Sequence, residues 1–517
     1  MRPLWPIAWL VFSAGVCNAT KGSNSNSKSS AALRSCAIRA LGSTAHLRVV
    51  DPSCNTYTDA RMGEQVQFKH FPALVAFAEK ASEIPLLVRC ARDTAHKAVP
   101  RSGGHHFESW SALNDTLVID LSHIDHVHVS SDRSMATVGG GIRLGALYTA
   151  LGAHNRTFNG GICPTVGLSG FLSSGGFTNQ MRSAAGLGVD HVVSATVVTA
   201  TGHTVTASKE SHPDLFYALR GGGGGTYGIV VEWTLRLVTY PLSAMVFMNW
   251  TDPSTHEDVS RRYLEWSPSA PADFTSNLNI YPTTIQLMGW YLGRSKQELE
   301  DLMATSGLLD MGHPNITIGG DCSTDNSRLH GYFVTDCVPD EELRNFRPIL
   351  NTIQQSFVQW ENYPRFSYNQ TAKNPSLPIA PPWKRYRRQA KSFFILKDKP
   401  LKPSLLRKVI SHIGKLTPES RGWAEWQAWN LSSAHTDSAF AWKEKALAHL
   451  EFQLHGSADP KIQATYDQWM ADLEDLLRPA VGSMCQSCVV RRGDGLEHLN
   501  GTLGILLWRQ CLQVDRH

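Results

Sequence analysis

Two glycine-rich segments restrict this chain more than any other feature. The first reads Arg101-Ser102-Gly103-Gly104-His105-His106, and the second reads Gly160-Gly161-Ile162-Cys163-Pro164-Thr165-Val166-Gly167-Leu168-Ser169-Gly170. Glycine lets backbone N–H groups approach an anionic ligand closely, and such backbone nests bind phosphate without a helix dipole. Histidine and cysteine can each bond covalently to a cofactor. One segment offers glycine backbone beside a histidine, the other glycine backbone beside a cysteine.

At 517 residues the chain exceeds one ordinary core, so two or three domains are expected. A hydrophobic content of 42% and a charged content of 18% describe a globular protein. The net charge of +4 is small for this length, and the densest basic run, Lys384-Arg385-Tyr386-Arg387-Arg388, reads as a solvated face. No nucleic-acid partner is expected.

Residues 1–19 read as a secretory signal: Arg2, an apolar run over 4–16, and Cys17-Asn18-Ala19 as a small-residue cleavage site. The apolar run is shorter than the ~20 residues a membrane span needs, and no later run qualifies. Residues 20–65 read as a linker and extension, with a Ser/Asn-rich stretch over 23–30. Seven Asn-x-Ser/Thr sites follow, at Asn114, Asn155, Asn249, Asn315, Asn369, Asn430 and Asn500. As a set they agree with passage through the secretory pathway as a glycoprotein. Cys322 and Cys337 flank a polar, turn-rich stretch and can close a local loop. Cys485-Gln486-Ser487-Cys488 has redox-motif spacing but lacks the strand–helix pattern around it, and no second such pair supports zinc.

Along the chain, residues 72–83 read as a helix and 85–90 as a short strand. Strands are expected at 116–121, 123–129, 136–138, 191–200, 203–207 and 229–238, with helices at 144–151 and 214–220. His126 and His128 share a strand face, with no third ligand evident, so an ordinary strand is favoured over a metal site. The stretch 241–470 mixes strands (245–250, 392–396, 424–431) with helices (296–305, 340–360, 402–413, 466–476), an α+β pattern. Gly223, Gly225 and Gly228 match G-x-G-x-x-G, but a helix precedes them and a strand follows. A dinucleotide-binding Rossmann unit needs the opposite order, so NAD(P) is rejected.

The paired segments resemble the berberine bridge enzyme-like flavoproteins of the vanillyl-alcohol oxidase superfamily. Further motifs match in order: 139–144, Ser173-Ser174-Gly175-Gly176-Phe177, Gly186-Leu187-Gly188-Val189-Asp190 and the 214–229 stretch. The likeness covers about residues 66–240, which it implies to be an FAD-binding domain. It implies a two-domain α+β fold, with an antiparallel-sheet substrate domain over 241–470. It implies FAD bonded to both His105 and Cys163. Arg101, Ser102, Gly103, Gly104, His106, Val166, Gly167, Ser169, Gly170, Gly175, Gly176, Gly228 and Ile229 are then the remaining cofactor-binding candidates. The resemblance also implies a Cys36–Cys90 disulfide. In relatives, the residue three after the flavin-linked cysteine gates O2, and here it is Val166.

The implied activity is hydride transfer from a small molecule to flavin, with a protein base taking an O–H or N–H proton and O2 reoxidising the flavin. Glu425 lies in the region from which the family draws that base. The tryptophans at 423, 426 and 429 either face a flat substrate or fill a core, and the apolar, Trp-rich second domain leans toward a secondary metabolite, such as an alkaloid intermediate. A secreted carbohydrate oxidase is the alternative. Residues 471–517 depart from the family pattern, which leaves an inactive secreted FAD-binding glycoprotein as a third reading.

Overall fold

The computed structural model describes residues 25–161, 165–177, 185–239, 241–322, 387–429, 431 and 437–481. The segments 1–24, 323–386 and 482–517 therefore lie outside the described residues, and with them the signal, the helix expected at 340–360 and the atypical tail from 482 on. Asn369, Asn430, Asn500, Cys337, Cys485 and Cys488 lie outside them as well.

The N-terminal half holds two sheets. The first runs in the order β1 (Val49–Val50), β2 (Leu74–Phe77), β4 (Thr116–Asp120), β3 (Lys97–Arg101). β2, β4 and β3 are parallel, and β1 is antiparallel to β2. Two expectations are exchanged here: the strand is Leu74–Phe77, and the helix is Ile84–Asp93. All four residues of β2 are buried, and a strand covered on both faces reads as a continuous apolar run that periodicity cannot tell from helix. Pro85 occupies the first turn of the helix, where its missing N–H costs nothing.

The linker reading of 20–65 also gives way. A helix spans Ser25–Leu41, and Leu33, Ala37 and Leu41 recur at helical spacing and are buried with Ile84 and Leu87. The Cys36–Cys90 disulfide joins this helix to Ile84–Asp93. Cys54 and Cys322 are also disulfide-bonded.

The second sheet is antiparallel, in the order β5 (Val127–Val129), β6 (Met135–Gly139), β9 (Ile229–Arg236), β7 (Val192–Val198), β8 (Thr204–Ser208). Its core holds Val138, Leu147, Leu168 and Trp233. β5 is shorter than expected. His126 lies outside it and meets Glu232 at 3.0 Å.

The C-terminal half is one seven-stranded antiparallel sheet, β13 (Asn315–Cys322), β10 (Ser243–Trp250), β12 (Ile285–Leu292), β11 (Phe274–Ile280), β15 (Trp423–Ala428), β16 (Ala446–His455), β14 (Arg388–Leu396). Helices His256–Trp266, Lys296–Ser306, Pro403–Ile413 and Pro460–Val481 pack on one face, around Val246, Leu278, Trp426 and Leu450. The other face turns to the N-terminal half. There Phe394 and Trp429 cluster with Leu187, Val189 and Phe440. Among the described residues no helix is long and apolar enough to cross a membrane.

Candidate active site

The 101–106 loop leaves the end of β3. Arg101 is buried, and its Nε reaches Asp120 Oδ2 at 2.5 Å while Nη1 donates to Ala60 O at 2.7 Å. Its guanidinium ties β3 to β4, so what Arg101 would offer a ligand is backbone. Ser102 Oγ donates to Gly140 O at 2.8 Å, and Ser169 Oγ donates to the same carbonyl at 2.6 Å. Both hydroxyls are thus turned into protein, and what these residues offer a ligand is backbone.

The two signature segments touch through their glycines. A Cβ on Gly103 would stand 2.2 Å from Gly167 N, and one on Gly167 would stand 2.1 Å from Gly103 N. No side chain fits at either position. Arg143, which the sequence reading did not single out, clamps the pair: Nη1 donates to Gly103 O at 3.0 Å and to Thr165 O. The glycine run before it is equally committed, since a Cβ on Gly141 would lie 1.6 Å from Leu121 O.

His105 projects from this junction. Its Nε2 lies 2.7 Å from Thr165 Oγ1 and 3.9 Å from Glu64 Oε2. Burial, reinforced by the Arg143 and Arg388 guanidinium groups, pushes its pKa down to about 3, so the imidazole is neutral. His106 goes elsewhere. It is exposed, stacks on Trp110 at 4.6 Å, and its Nδ1 accepts from Glu108 N. Cys163 lies outside the described residues, but both flanks are anchored. Tyr148 donates to Gly161 O at 2.7 Å, and Arg143 holds Thr165. Val166 is partly buried against the second sheet's core, and its carbonyl accepts from Leu144 N.

The remaining glycine candidates divide by what faces them. Among the described residues, nothing lies within 4 Å of a Cβ position on Gly170, and across from it a Cβ on Gly224 would lie 3.9 Å from Gly170 Cα. This is an open cradle that side chains would fill, and it fits a flat cofactor approached by backbone. Gly175 has φ +105° and Gly221 φ +103°, and both are covered by Phe440 from the C-terminal half. Gly176 packs on Gly188, while Gly228 packs on Val197 at the start of β9, with Ile229 paired to Val198. Protein atoms meet a Cβ at Gly175, Gly176 and Gly228, so the fold itself requires glycine at these three positions.

The sheet face opposite supplies carboxylates. Alternation places Trp426 in the helix-side core and Glu425 on the face turned to the N-terminal half. Glu425 Oε1 accepts from Asn277 Nδ2 at 2.9 Å and from Gln427 Nε2 at 2.5 Å. Directly across the strand pair stands Glu451, which the sequence reading missed. Leu450, Phe452 and Leu454 alternate into the core, so the pattern of β16 already assigned Glu451 to the other face. Burial, then the charge of Glu425, pushes the Glu451 carboxyl up to about 7. Asn277, Asn279, Gln286 and Gln427 are buried on this face. The tryptophans supply no free platform: Trp426 is core, and Trp429 stacks on Phe177 at 5.4 Å between the halves.

Of the described Asn-x-Ser/Thr sites, Asn114, Asn155 and Asn315 are exposed. Asn249 is buried in β10, paired with both β12 and β13, so a glycan there has no room. That acceptor is withdrawn.

A family model described as an FAD binding domain matches residues 72–208. The chain belongs to the FAD-linked oxidoreductases. It is 53% identical to the FAD-linked oxidoreductase pynB of Aspergillus niger, over 88% of this chain and 84% of that protein. It is 50% identical to the FAD-linked oxidoreductase pytB of Aspergillus terreus over 89% of this chain, spanning 57% of that protein's length. Among solved structures, Physcomitrella patens BBE-like 1 superposes with a TM-score of 0.71 at 22% identity, covering 92% of this chain and 95% of that one. A xylooligosaccharide oxidase from Myceliophthora thermophila C1, solved with xylobiose, gives 0.66 at 22% identity, covering 85% and 86%. At these identities the likeness to the solved structures is one of fold.

Proposed function

We propose that this chain is a secreted oxidase that takes hydride from a secondary metabolite, an alkaloid intermediate being the expected kind, onto FAD attached to His105 and Cys163, with O2 as electron acceptor. The observation that carries it is the Glu425–Glu451 pair on the buried face turned toward the flavin-binding half. FAD, when bound, supplies the two-electron acceptor. The protein's own task is to hold the substrate and take its O–H or N–H proton. Cross-strand carboxylates do not both ionise readily, and the charge of Glu425 adds to burial in keeping Glu451 protonated to about pH 7. The ionised partner accepts the substrate proton as hydride leaves. Asn277 and Gln427 orient Glu425 through their amide N–H donors.

Gly103, Gly104, Gly167 and Gly170 would hold the cofactor through backbone, with His105 and Cys163 as attachment points. The Cys36–Cys90 disulfide and the exposed Asn114, Asn155 and Asn315 support secretion.

The buried amides Asn277, Asn279, Gln286 and Gln427 favour a second reading, oxidation of a carbohydrate, whose hydroxyls would pair with them. Anaerobic mixing of the purified protein with indole alkaloids, other hydroxylated metabolites and oligosaccharides distinguishes the two. Bleaching of the flavin by a metabolite but by no sugar supports the first. Bleaching by sugars alone replaces it with the second. Acid precipitation should leave the flavin on the protein, and its complete release would remove the covalent assignment.

A further inference from the structure

Residues 62–65 run against the signature loop and deliver a carboxylate to its histidine. Glu64 N donates to Gly104 O at 2.9 Å. Gly63 is needed for that approach, because a Cβ there would stand 2.8 Å from Gly104 O. Glu64 is thereby fixed to the residue preceding His105. Its carboxylate, 10% exposed, places Oε2 3.9 Å from His105 Nε2, and Thr165 Oγ1 stands 2.7 Å from the same nitrogen. Among the described residues, Nδ1 of His105 has no hydrogen-bond partner.

A neutral imidazole carries one proton, and its neighbours decide which nitrogen holds it. Two oxygens beside Nε2, one of them a carboxylate's, favour an N–H there over a lone pair. We propose that Glu64, together with Thr165, holds His105 as the Nε2–H tautomer, so that the Nδ1 lone pair is the nucleophile for flavin attachment, and that Glu64 takes the Nε2 proton as the bond forms. The inference rests on His105 being an attachment residue. In the step, Nδ1 bonds to the ring-methyl carbon of FAD and one methyl C–H bond breaks. The hydrogen leaves as a proton, and its electron pair passes through the flavin to O2. The Nε2 proton goes to Glu64, directly or through the Thr165 hydroxyl, so the ring does not stay cationic beside Arg143 and Arg388. O2, two electrons and the two protons balance as hydrogen peroxide. Glu64 acts through His105 and is a positioning residue.

The test uses the full chain in a Cys163→Ala background, where His105 is the sole attachment point, and follows FAD becoming acid-stable on flavin-free protein. The C163A chain should attach FAD. Adding Glu64→Gln should slow attachment by about 100-fold or more, the scale for losing a positioned proton acceptor, with FAD still bound noncovalently. Glu64→Asp should restore most of the rate. Equal rates for C163A and E64Q/C163A would overturn the proposal. So would an E64Q/C163A chain that no longer binds FAD together with an E64D/C163A chain that attaches none, since Glu64 would then serve folding alone. A C163A chain that never attaches FAD overturns the His105 assignment itself, a result read before Glu64 is varied.

Discussion

Glu425 of β15 and Glu451 of β16 are direct cross-strand partners, and Glu451 keeps its proton up to about pH 7. An unfolded glutamate loses that proton near its ordinary pKa of about 4.3. Between these values the folded state binds more protons than the unfolded one, so this pair makes stability fall as pH rises. The slope is at most about 1.4 kcal/mol per pH unit, and it levels off above about 7. Glu451→Gln should remove that slope in denaturant titrations from pH 5 to 8. It should also remove the change in kcat/KM through neutral pH that titration of Glu451 beside the Glu425 base produces. An unaltered pH profile in E451Q would dismiss the pair as the base.

Lys443 and Asp190 form a buried ion pair between the two halves, each side chain under a tenth exposed. Burial lowers the Lys443 pKa, and Asp190 offsets this through its hydrogen bond and charge. Lys443→Met alone removes one partner of the buried Asp190, which keeps the hydrogen bond from Leu187 N and the nearby Arg220 charge, and should cost about 1–3 kcal/mol. The double variant Asp190→Asn with Lys443→Met should recover much of that loss in equilibrium unfolding. If the double variant loses as much as the sum of the singles, the two residues are not coupled.

Gly167 and Gly170 should respond oppositely to alanine. Gly167→Ala drives a methyl into Gly103 N and should destabilise the chain by about 1–3 kcal/mol or more. Gly170→Ala meets no atom of the described residues within 4 Å, so flavin-free stability should stay within about 0.5 kcal/mol or rise slightly. Its effect should appear in FAD affinity, measured by fluorescence quenching. An unchanged affinity would place the cofactor elsewhere.

Val166→Leu adds one methylene to a side chain packed on the second sheet's core. Close-packed sites do not absorb that volume without displacement. Stopped-flow mixing of reduced protein with aerated buffer should show much slower reoxidation, with flavin reduction by substrate nearly unchanged. Wild-type protein that reoxidises as slowly as V166L would point to an acceptor other than O2.

The signature loops were legible because their requirement is local: glycine at 103 and 167 is demanded by backbone contact, and sequence displays glycine directly. Glu425 was singled out by its region of the chain alone, while the alternation of β16 would have pointed to Glu451 as its cross-strand partner. Arg143 and Glu64 were not legible. Each acts on a segment about 40 residues away, through contacts that only the completed fold brings about. The exchange of helix and strand over 72–93 has a simpler cause, a four-residue apolar run too short for either period to show.

Phe440 closes over Gly175 and Gly221, and so sets a clock on synthesis. The ribosome must add some 220 further residues after Gly221 before that ring exists, roughly 10–45 s at ordinary elongation rates. For that interval the first half emerges with a hollow where its glycines await a side chain. A stretch cut at residue 240 would keep that hollow permanently.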